Sequence, residues 1–270
     1  MEQIRLDELT ARQLNISVKQ AAALIMEGRI WIGDIPADKA GTAVAEDTVL
    51  TCREKARKYA SRSGYKLEKA LACFEVDPTA RTVCDIGASN GGFTDCLLQS
   101  GAGHVFSVDV AYGILAWELR NDERVTVRER TNARNLTPDD LDGTICDMVT
   151  VDVSFISLKK IFPAIHRILK DGGEVITLIK PQFEAKKHEL GKNGILKDAT
   201  ATLPPLLTDI FTCAVQNGLA LKGLTVSPIH GTNGNVEYLA HYCHSAEPTE
   251  PDENLWNKLI AEAMTLRPDM

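Results

Sequence analysis

No run of apolar residues in this 270-residue chain approaches the length of about 18 that reads as a membrane-spanning helix, so a pore-forming role has no support. The seven cysteines are an odd number without C-x-x-C spacing, and no signal peptide is recognisable. Reduced core thiols of a cytoplasmic protein are expected, neither a disulfide framework nor a zinc site, and no metal. A basic excess is missing too: 30 Lys and Arg stand against 37 Asp and Glu, a formal net charge of −7. This argues against nucleic acid binding over the whole surface and restricts any such contact to a local patch. What remains is a chain with 44% apolar residues, long enough for one sizeable α/β domain and a small companion.

The chain is organised around residues 81–95. Thr82 to Ile86 is a short apolar run interrupted by Asp85, Gly87 to Gly92 supplies a tight turn, and Phe93 to Gln99 resumes with helical spacing. Strand, glycine-rich turn and helix make a nucleotide-type site at the carboxyl end of a parallel strand. Val105 to Asp109 reads as the next strand, and a carboxylate at its end can take both ribose hydroxyls of an adenosine. The dinucleotide pattern G-x-G-x-x-G fails, because Ser89 stands where the second glycine belongs. Asp85, an anion just before the turn, suits a cation better than a pyrophosphate. S-adenosylmethionine, with a sulfonium, an amino group and no phosphate, is the expected cofactor. Its expected contacts are Asp85, Gly87, Ala88, Ser89, Gly91, Gly92, Phe93, Asp109, Val110 and Asp152, with Asn132 of the 131–135 loop toward the adenine amino group. A plain strand–turn–helix without a ligand is the alternative.

Further strands are expected at 125–127, 148–152, 174–179, 219–226 and 236–242. Helices are expected at 114–120, at 158–170 with Asp171-Gly172-Gly173 as its stop, and at 202–217, where Pro204 and Pro205 fit only a first turn. This alternation predicts an α/β, Rossmann-like fold with a seven-stranded, mostly parallel sheet. Asp85, Asp109, Asp152 and Lys180 all fall at carboxyl strand ends, where such sheets bind ligands. Leu255, Trp256, Leu259, Ile260 and Ala263 share one face of a C-terminal helix, expected as a packing surface, with a partner site as the alternative.

Residues 1–52 read as a small α+β module. A helix starts at Arg5-Leu6-Asp7-Glu8-Leu9, Ser17 caps a second that stops at Gly28, and Ile30-Trp31-Ile32, a Gly33-Asp34 turn and Ile35-Pro36-Ala37 make a hairpin. Val49-Leu50-Thr51 is a later strand. The order of residues resembles the small RNA-binding domain named after ribosomal protein S-four, departing from it at Val18-Lys19 and Gly33-Asp34. Arg5, Arg12, Lys19 and Arg29 are the expected RNA contacts here, and Lys39 is a further cation. Residues 51–69 then hold seven basic residues against Glu54 and Glu68. Arg53, Lys55, Arg57, Lys58 and Arg62 of this run are expected to hold a phosphate backbone; a solvated linker helix is the alternative. The expected boundaries are 1–52, a linker at 53–62, a second domain at 63–246 and a helical tail at 247–270.

Four strings carry a resemblance across nearly the whole chain: Ser61-Arg62-Ser63-Gly64-Tyr65-Lys66-Leu67, Asp85 through Asp95, Asp152 through Ser157, and Lys180-Pro181-Gln182-Phe183-Glu184. In these the chain resembles the hemolysin A (TlyA) family, an S-four-type domain followed by an FtsJ-like ribose methyltransferase. The resemblance implies a catalytic Lys-Asp-Lys-Glu tetrad at Lys66, Asp152, Lys180 and Glu237. It also implies 2′-O-methylation of cytidine in ribosomal RNA, with ribosomal subunits as partners; a monomer is expected. Lys180 is the candidate to steer and deprotonate the hydroxyl, or, remaining charged, to stabilise the alkoxide. The rival of another class is an RNA-binding protein without catalysis. Base methylation is a nearer rival, but Asp152-Val153-Ser154-Phe155 replaces the Asn/Asp-Pro-Pro-aromatic loop it uses. Cys84 and Cys146 lie at the wrong side of their strand ends for a nucleophile.

Overall fold

The computed structural model describes residues 3–33, 35–37, 39–53, 58–192, 194–231, 235–245 and 251–266. Lys55, Arg57 and Asp34, each named above, lie outside them. The chain divides into two compact units, Met1–Ala60 and Ser61–Met270.

In the first unit, β1 (Gln3–Arg5) runs into α1 (Leu6–Leu14), which ends on Asn15 in the left-handed region. Ser17 and Gln20 then exchange side-chain and backbone hydrogen bonds, and this reciprocal cap starts α2 (Val18–Met26). The expected hairpin forms from β2 (Ile30–Ile32) and β3 (Ile35–Pro36). After it, β4 (Ala43–Ala45) pairs with β1, and β5 (Leu50–Cys52) pairs with β2. Leu6, Ile25, Ile30 and Ala37 are buried together at the centre. The β1–β4 pair escapes a sequence reading because three-residue strands carry no alternation to detect.

The second unit opens with α3 (Ser63–Phe74), then β6 (Thr82–Ile86), α4 (Gly92–Gln99), β7 (His104–Val108), α5 (Trp117–Arg120) and β8 (Val125–Arg128). It continues with β9 (Cys146–Val151), α6 (Phe162–Ile168), β10 (Leu169–Ile179), α7 (Pro181–Glu184) and α8 (Ala199–Val215). β11 (Leu219–Val226), β12 (Tyr238–His244) and α9 (Glu253–Thr265) complete it. The seven strands form one sheet in the order β11-β12-β10-β9-β6-β7-β8. All run parallel except β12, which is antiparallel to both neighbours. Chain order runs outward from β6 through β7 and β8 on one side and resumes with β9 on the other. The crevice between β6 and β9 is therefore the switch point where an open sheet takes a ligand.

Several boundaries differ from expectation. The helix expected at 158–170 is a 3-10 turn at Leu158–Lys160 followed by α6, which ends at Ile168. Leu169 already pairs with Cys146, and Asp171-Gly172-Gly173 is a bulge within β10, with Gly172 at φ 69°, not a helix stop. α8 begins at Ala199, because the Asp198 side chain accepts from the Ala201 N–H, which puts Pro204 and Pro205 beyond the first turn. The last strand is displaced to Tyr238–His244, leaving Glu237 on the approach to it. The C-terminal helix, expected as a tail, packs into the second unit, with the Trp256 ring 5.8 Å from Phe211 and edge-on. No helix among the described residues is long and apolar enough to cross a membrane.

Candidate active site

The turn after β6 is built for close packing. Gly87 sits at φ +85°, and a Cβ there would lie 2.6 Å from the Asp152 carbonyl oxygen, so only glycine lets the turn rest on the next loop. At Gly92 a Cβ would meet the Ser63 Oγ at 2.0 Å, which allows the start of α4 to carry the Ser61–Ser63 hydroxyl pair, 2.7 Å apart. Most of the turn's N–H groups are already committed. Gly87 and Ala88 both donate to the Val108 carbonyl, Gly91 donates to Ala88, and Ser89 donates to the Asp109 carboxylate. A pyrophosphate would find few free donors, in agreement with the serine that breaks the dinucleotide pattern.

Asp109, just past β7, uses one oxygen for the Ser89 N–H and the other for the Ala111 N–H, each at 2.8 Å. A carboxylate offers about four lone-pair sites, so each oxygen keeps capacity for one hydroxyl. The carboxylate borders a cavity of about 520 Å³ with Gly87, Ser89, Val110, Asn132 and Asp152, well within the range of about 300–1,000 Å³ typical of small-ligand sites. Ile86, Phe155, Ile156 and Ile161 give it apolar walls. The Asn132 side-chain oxygen also accepts from the Arg134 N–H, which fixes the side chain at the rim.

Asp85 is placed otherwise than expected. Ile86, its neighbour, faces the cavity, so alternation along β6 turns Asp85 to the other side of the sheet. Its carboxyl is fully buried and accepts from the Thr94 hydroxyl at 2.7 Å and the Thr150 hydroxyl at 2.9 Å. It therefore ties β6 to α4 and β9 and presents no anion to the cavity. Burial raises its pKa from 3.8 to about 7; the hydroxyl hydrogen bonds work against that rise and the nearby Asp152 charge adds to it. Gly91 and Gly92 border neither this cavity nor the next; a Cβ would meet the Leu119 side chain at Gly91 and the Ser63 hydroxyl at Gly92.

Two further cavities extend the first. One of about 220 Å³ is bordered by Ser61, Ser63, Ala88, Phe93 and Lys180, and shares Gly87, Ser89, Asp152 and Ser154 with the first. Another of about 300 Å³ is bordered by Arg62, Lys66, His230 and Glu237, and shares Ser63 and Lys180 with the second. The three make one trough with Lys180 on its middle stretch. The Lys180 Nζ lies 2.6 Å from Asp152 Oδ1 and donates to the Ser154 hydroxyl at 2.9 Å. The Lys66 Nζ donates to Glu237 Oε2 at 2.5 Å, with both side chains at least nine-tenths buried. Burying such charges costs several kcal/mol per ion unless they are paired, so these are not stray surface bridges. All four tetrad residues expected from the resemblance border this trough. Ser154 lies within the Asp152–Ser157 string, yet nothing in the sequence marks it as a partner of Lys180.

The expected RNA contacts are scattered. Arg5 is paired with Asp7 at 2.6 Å, Arg12 with Glu46 at 2.5 Å, and Arg29 lies 3.9 Å from Glu27. Lys19 is exposed on α2. The Arg53 guanidinium stacks 4.1 Å above the Trp31 ring, and the Lys58 Nζ lies 5.0 Å from the centre of the Tyr59 ring. Arg62 borders the trough beside Lys66.

Residues 59–243 match the FtsJ-like methyltransferase family. The 16S/23S rRNA (cytidine-2′-O)-methyltransferase TlyA of Mycobacterium tuberculosis is 43% identical over 232 residues, 86% of this chain and 86% of that protein. Hemolysin A of Brachyspira hyodysenteriae is 36% identical over 88% of this chain and 99% of its own length. A solved structure from Streptococcus thermophilus, described as a hemolysin, superposes with a TM-score of 0.76 at 39% identity and covers 98% of this chain and 97% of that one. With a family match across most of its length and relatives of this similarity over 86–88% of it, the chain belongs to the FtsJ-like methyltransferase family, together with the TlyA and hemolysin A proteins.

Proposed function

We propose that this chain transfers the methyl group of S-adenosylmethionine to a ribose 2′-hydroxyl of ribosomal RNA, at a cytidine. The observation that carries the reading is the single trough, with the Asp109 carboxylate in one end and the Lys180–Asp152 and Lys66–Glu237 pairs further along it. An adenosine fits the first cavity: Asp109 has capacity for both ribose hydroxyls, Asn132 stands at the rim, and the apolar walls suit a base. When bound, the cofactor supplies an electrophilic methyl on a sulfonium.

The residues of the chain do the positioning. A lysine ammonium has three donors. Lys180 donates to Ser154 and is ion-paired with Asp152, which leaves donor capacity for the substrate oxygen. In this reading the Lys180 ammonium holds the 2′-oxygen in line with the methyl carbon. It stabilises the alkoxide character the oxygen gains as its proton passes to solvent water, while the electrons of the C–S bond leave with the sulfur. Asp152 and Ser154 fix the ammonium, while Glu237 holds Lys66 where the phosphate-bearing sugar enters beside Arg62. The 1–52 module and the basic residues after it would anchor the RNA, and a cytoplasmic site of action follows from a ribosomal substrate.

Incubating the purified chain with methyl-tritiated cofactor and ribosomal subunits should place label on 2′-O-methylcytidine. Cofactor or RNA binding without transfer would instead establish the non-catalytic alternative. Asp109→Asn should raise the dissociation constant for S-adenosylmethionine about ten- to a hundredfold, since a hydrogen bond to a charged group contributes about 1.5–3 kcal/mol. Titration calorimetry checks this, and an unchanged affinity would remove Asp109 from the cofactor site.

A further inference from the structure

Two loops carry the reactive pair, and both need holding. Asp152 begins the segment Asp152–Ser157 after β9, and Lys180 begins Lys180–Glu184 after β10. The first segment is anchored at its start, where the Asp152 N–H donates to the Ile86 carbonyl at 2.9 Å. In its middle, Phe155 is held at φ +63° although 91% exposed. A bulky residue in the left-handed region costs about 1–3 kcal/mol and persists only where the surroundings over-determine it. Something must therefore secure the far end.

Glu184 is placed to do so. Its Oε2 accepts from the Ser157 hydroxyl at 2.6 Å, and its Oε1 accepts from the Leu158 N–H at 2.7 Å. The Ser157 oxygen in turn accepts from the Lys159 N–H at 3.2 Å, which caps the 3-10 turn at Leu158–Lys160. One carboxylate from the Lys180 loop thus closes the Asp152 loop. Burial pushes the Glu184 carboxyl above the ordinary glutamate range, against which the Ser157 and Leu158 hydrogen bonds work. A carboxylate held there at a desolvation cost, with both oxygens used on one neighbouring loop, is more than a solvated surface acid.

We infer that Glu184 is a positioning residue for methyl transfer: it latches the Asp152–Ser157 loop to the Lys180–Glu184 loop and so keeps Asp152 and Ser154 in reach of the Lys180 ammonium. The inference rests on the proposed role of Lys180. Without the latch, Phe155, whose ring rests 5.0 Å from that of Phe183, can shift with that contact out of the left-handed region and take Ser154 with it. Asp109 and Asn132 belong to other elements, whereas Phe155 and Ile156 of this segment wall the cofactor cavity, so cofactor affinity should fall as well, but by much less than kcat.

Glu184→Ala should lower kcat about a hundredfold, the scale of a misplacement of about 1 Å, while the dissociation constant for S-adenosylmethionine changes far less. Glu184→Gln should recover most of the loss, because its oxygen can accept the Leu158 N–H and its amide can donate to a turned Ser157 hydroxyl. Ser157→Ala, which keeps the Glu184 carboxylate, should give a smaller fall in kcat, and it decides the matter if the alanine variant at 184 fails to fold. A readout independent of turnover is competitive labelling of lysines followed by mass spectrometry, in which Lys180 should react faster relative to other lysines in Glu184→Ala. An unchanged kcat in both alanine variants, with the parent chain active, overturns the latch. So does an equal loss of kcat and cofactor affinity, which marks general support of the fold. A parent chain that transfers no methyl group rejects the functional reading instead, and the Lys180 labelling then still decides whether the latch exists.

Discussion

Lys180→Ala is expected to lower the rate of methyl transfer about a thousandfold, the upper end for removing one electrostatic donor and the middle of the range for a general base. The dissociation constant for S-adenosylmethionine should stay near that of the parent chain, because Lys180 borders the second and third cavities but not the first. The fold should tolerate the change. Its partner Asp152 keeps 15% of its side chain in solvent, and removing the lysine opens the paired Oδ1, buried beside it, to water. Lys180→Arg then separates the two roles of the lysine. Arginine cannot give up its proton in a protein, so turnover recovered by arginine means a fixed positive charge suffices, whereas turnover lost in both variants is the result expected of a base. Single-turnover transfer to ribosomal subunits, with cofactor affinity measured separately, makes the comparison. Near-normal turnover by Lys180→Ala would take this residue out of the mechanism.

The sheet was legible in the sequence because each central strand is a short apolar run ending near an acid or lysine, and each is followed by a helix or a turn rich in small residues. The family strings contain Lys66, Asp152 and Lys180, and the resemblance implies Glu237 beside them, up to 171 positions away in sequence. Pairing was not legible. Nothing in the order of residues says that Lys66 joins Glu237 while Lys180 joins Asp152, since four charges can pair in either sense. Boundaries failed where one residue serves two elements. Leu169 continues the apolar spacing of α6, yet its backbone pairs with Cys146, and the Gly172 bulge that follows resembles a helix stop. Asp85 was misdirected for a related reason. Its distance from the turn suggested a cofactor contact, but alternation along β6 puts Ile86 on the ligand side and Asp85 opposite Thr94.

That burial of Asp85 makes stability depend on pH in an unusual direction. The folded carboxyl titrates at about 7 against 3.8 when exposed, so between those values the native state keeps a proton that the unfolded chain has released. Stability rises with pH where the unfolded state binds more protons; here it binds fewer, so this group makes the unfolding free energy fall as pH rises from about 4 to about 7. A difference of roughly three pKa units corresponds to about 4 kcal/mol at 1.36 kcal/mol per unit. Below pH 4 both states are protonated and the penalty is absent; above pH 7 it is present in full. Asp85→Asn should therefore leave stability near pH 4 little changed and raise it at pH 8 by up to about 4 kcal/mol, less whatever the amide loses in hydrogen bonding. That loss should be small. The asparagine oxygen can accept from one threonine, its NH₂ can donate to the other, and the Thr94 hydroxyl can turn to Ser107, which is 2.8 Å away. Urea unfolding in a series of buffers reads the result as two curves that separate with pH. Parallel curves would mean that Asp85 ionises normally in the folded chain, and a collapse of cofactor affinity in the variant would return this carboxyl to the ligand side of the sheet.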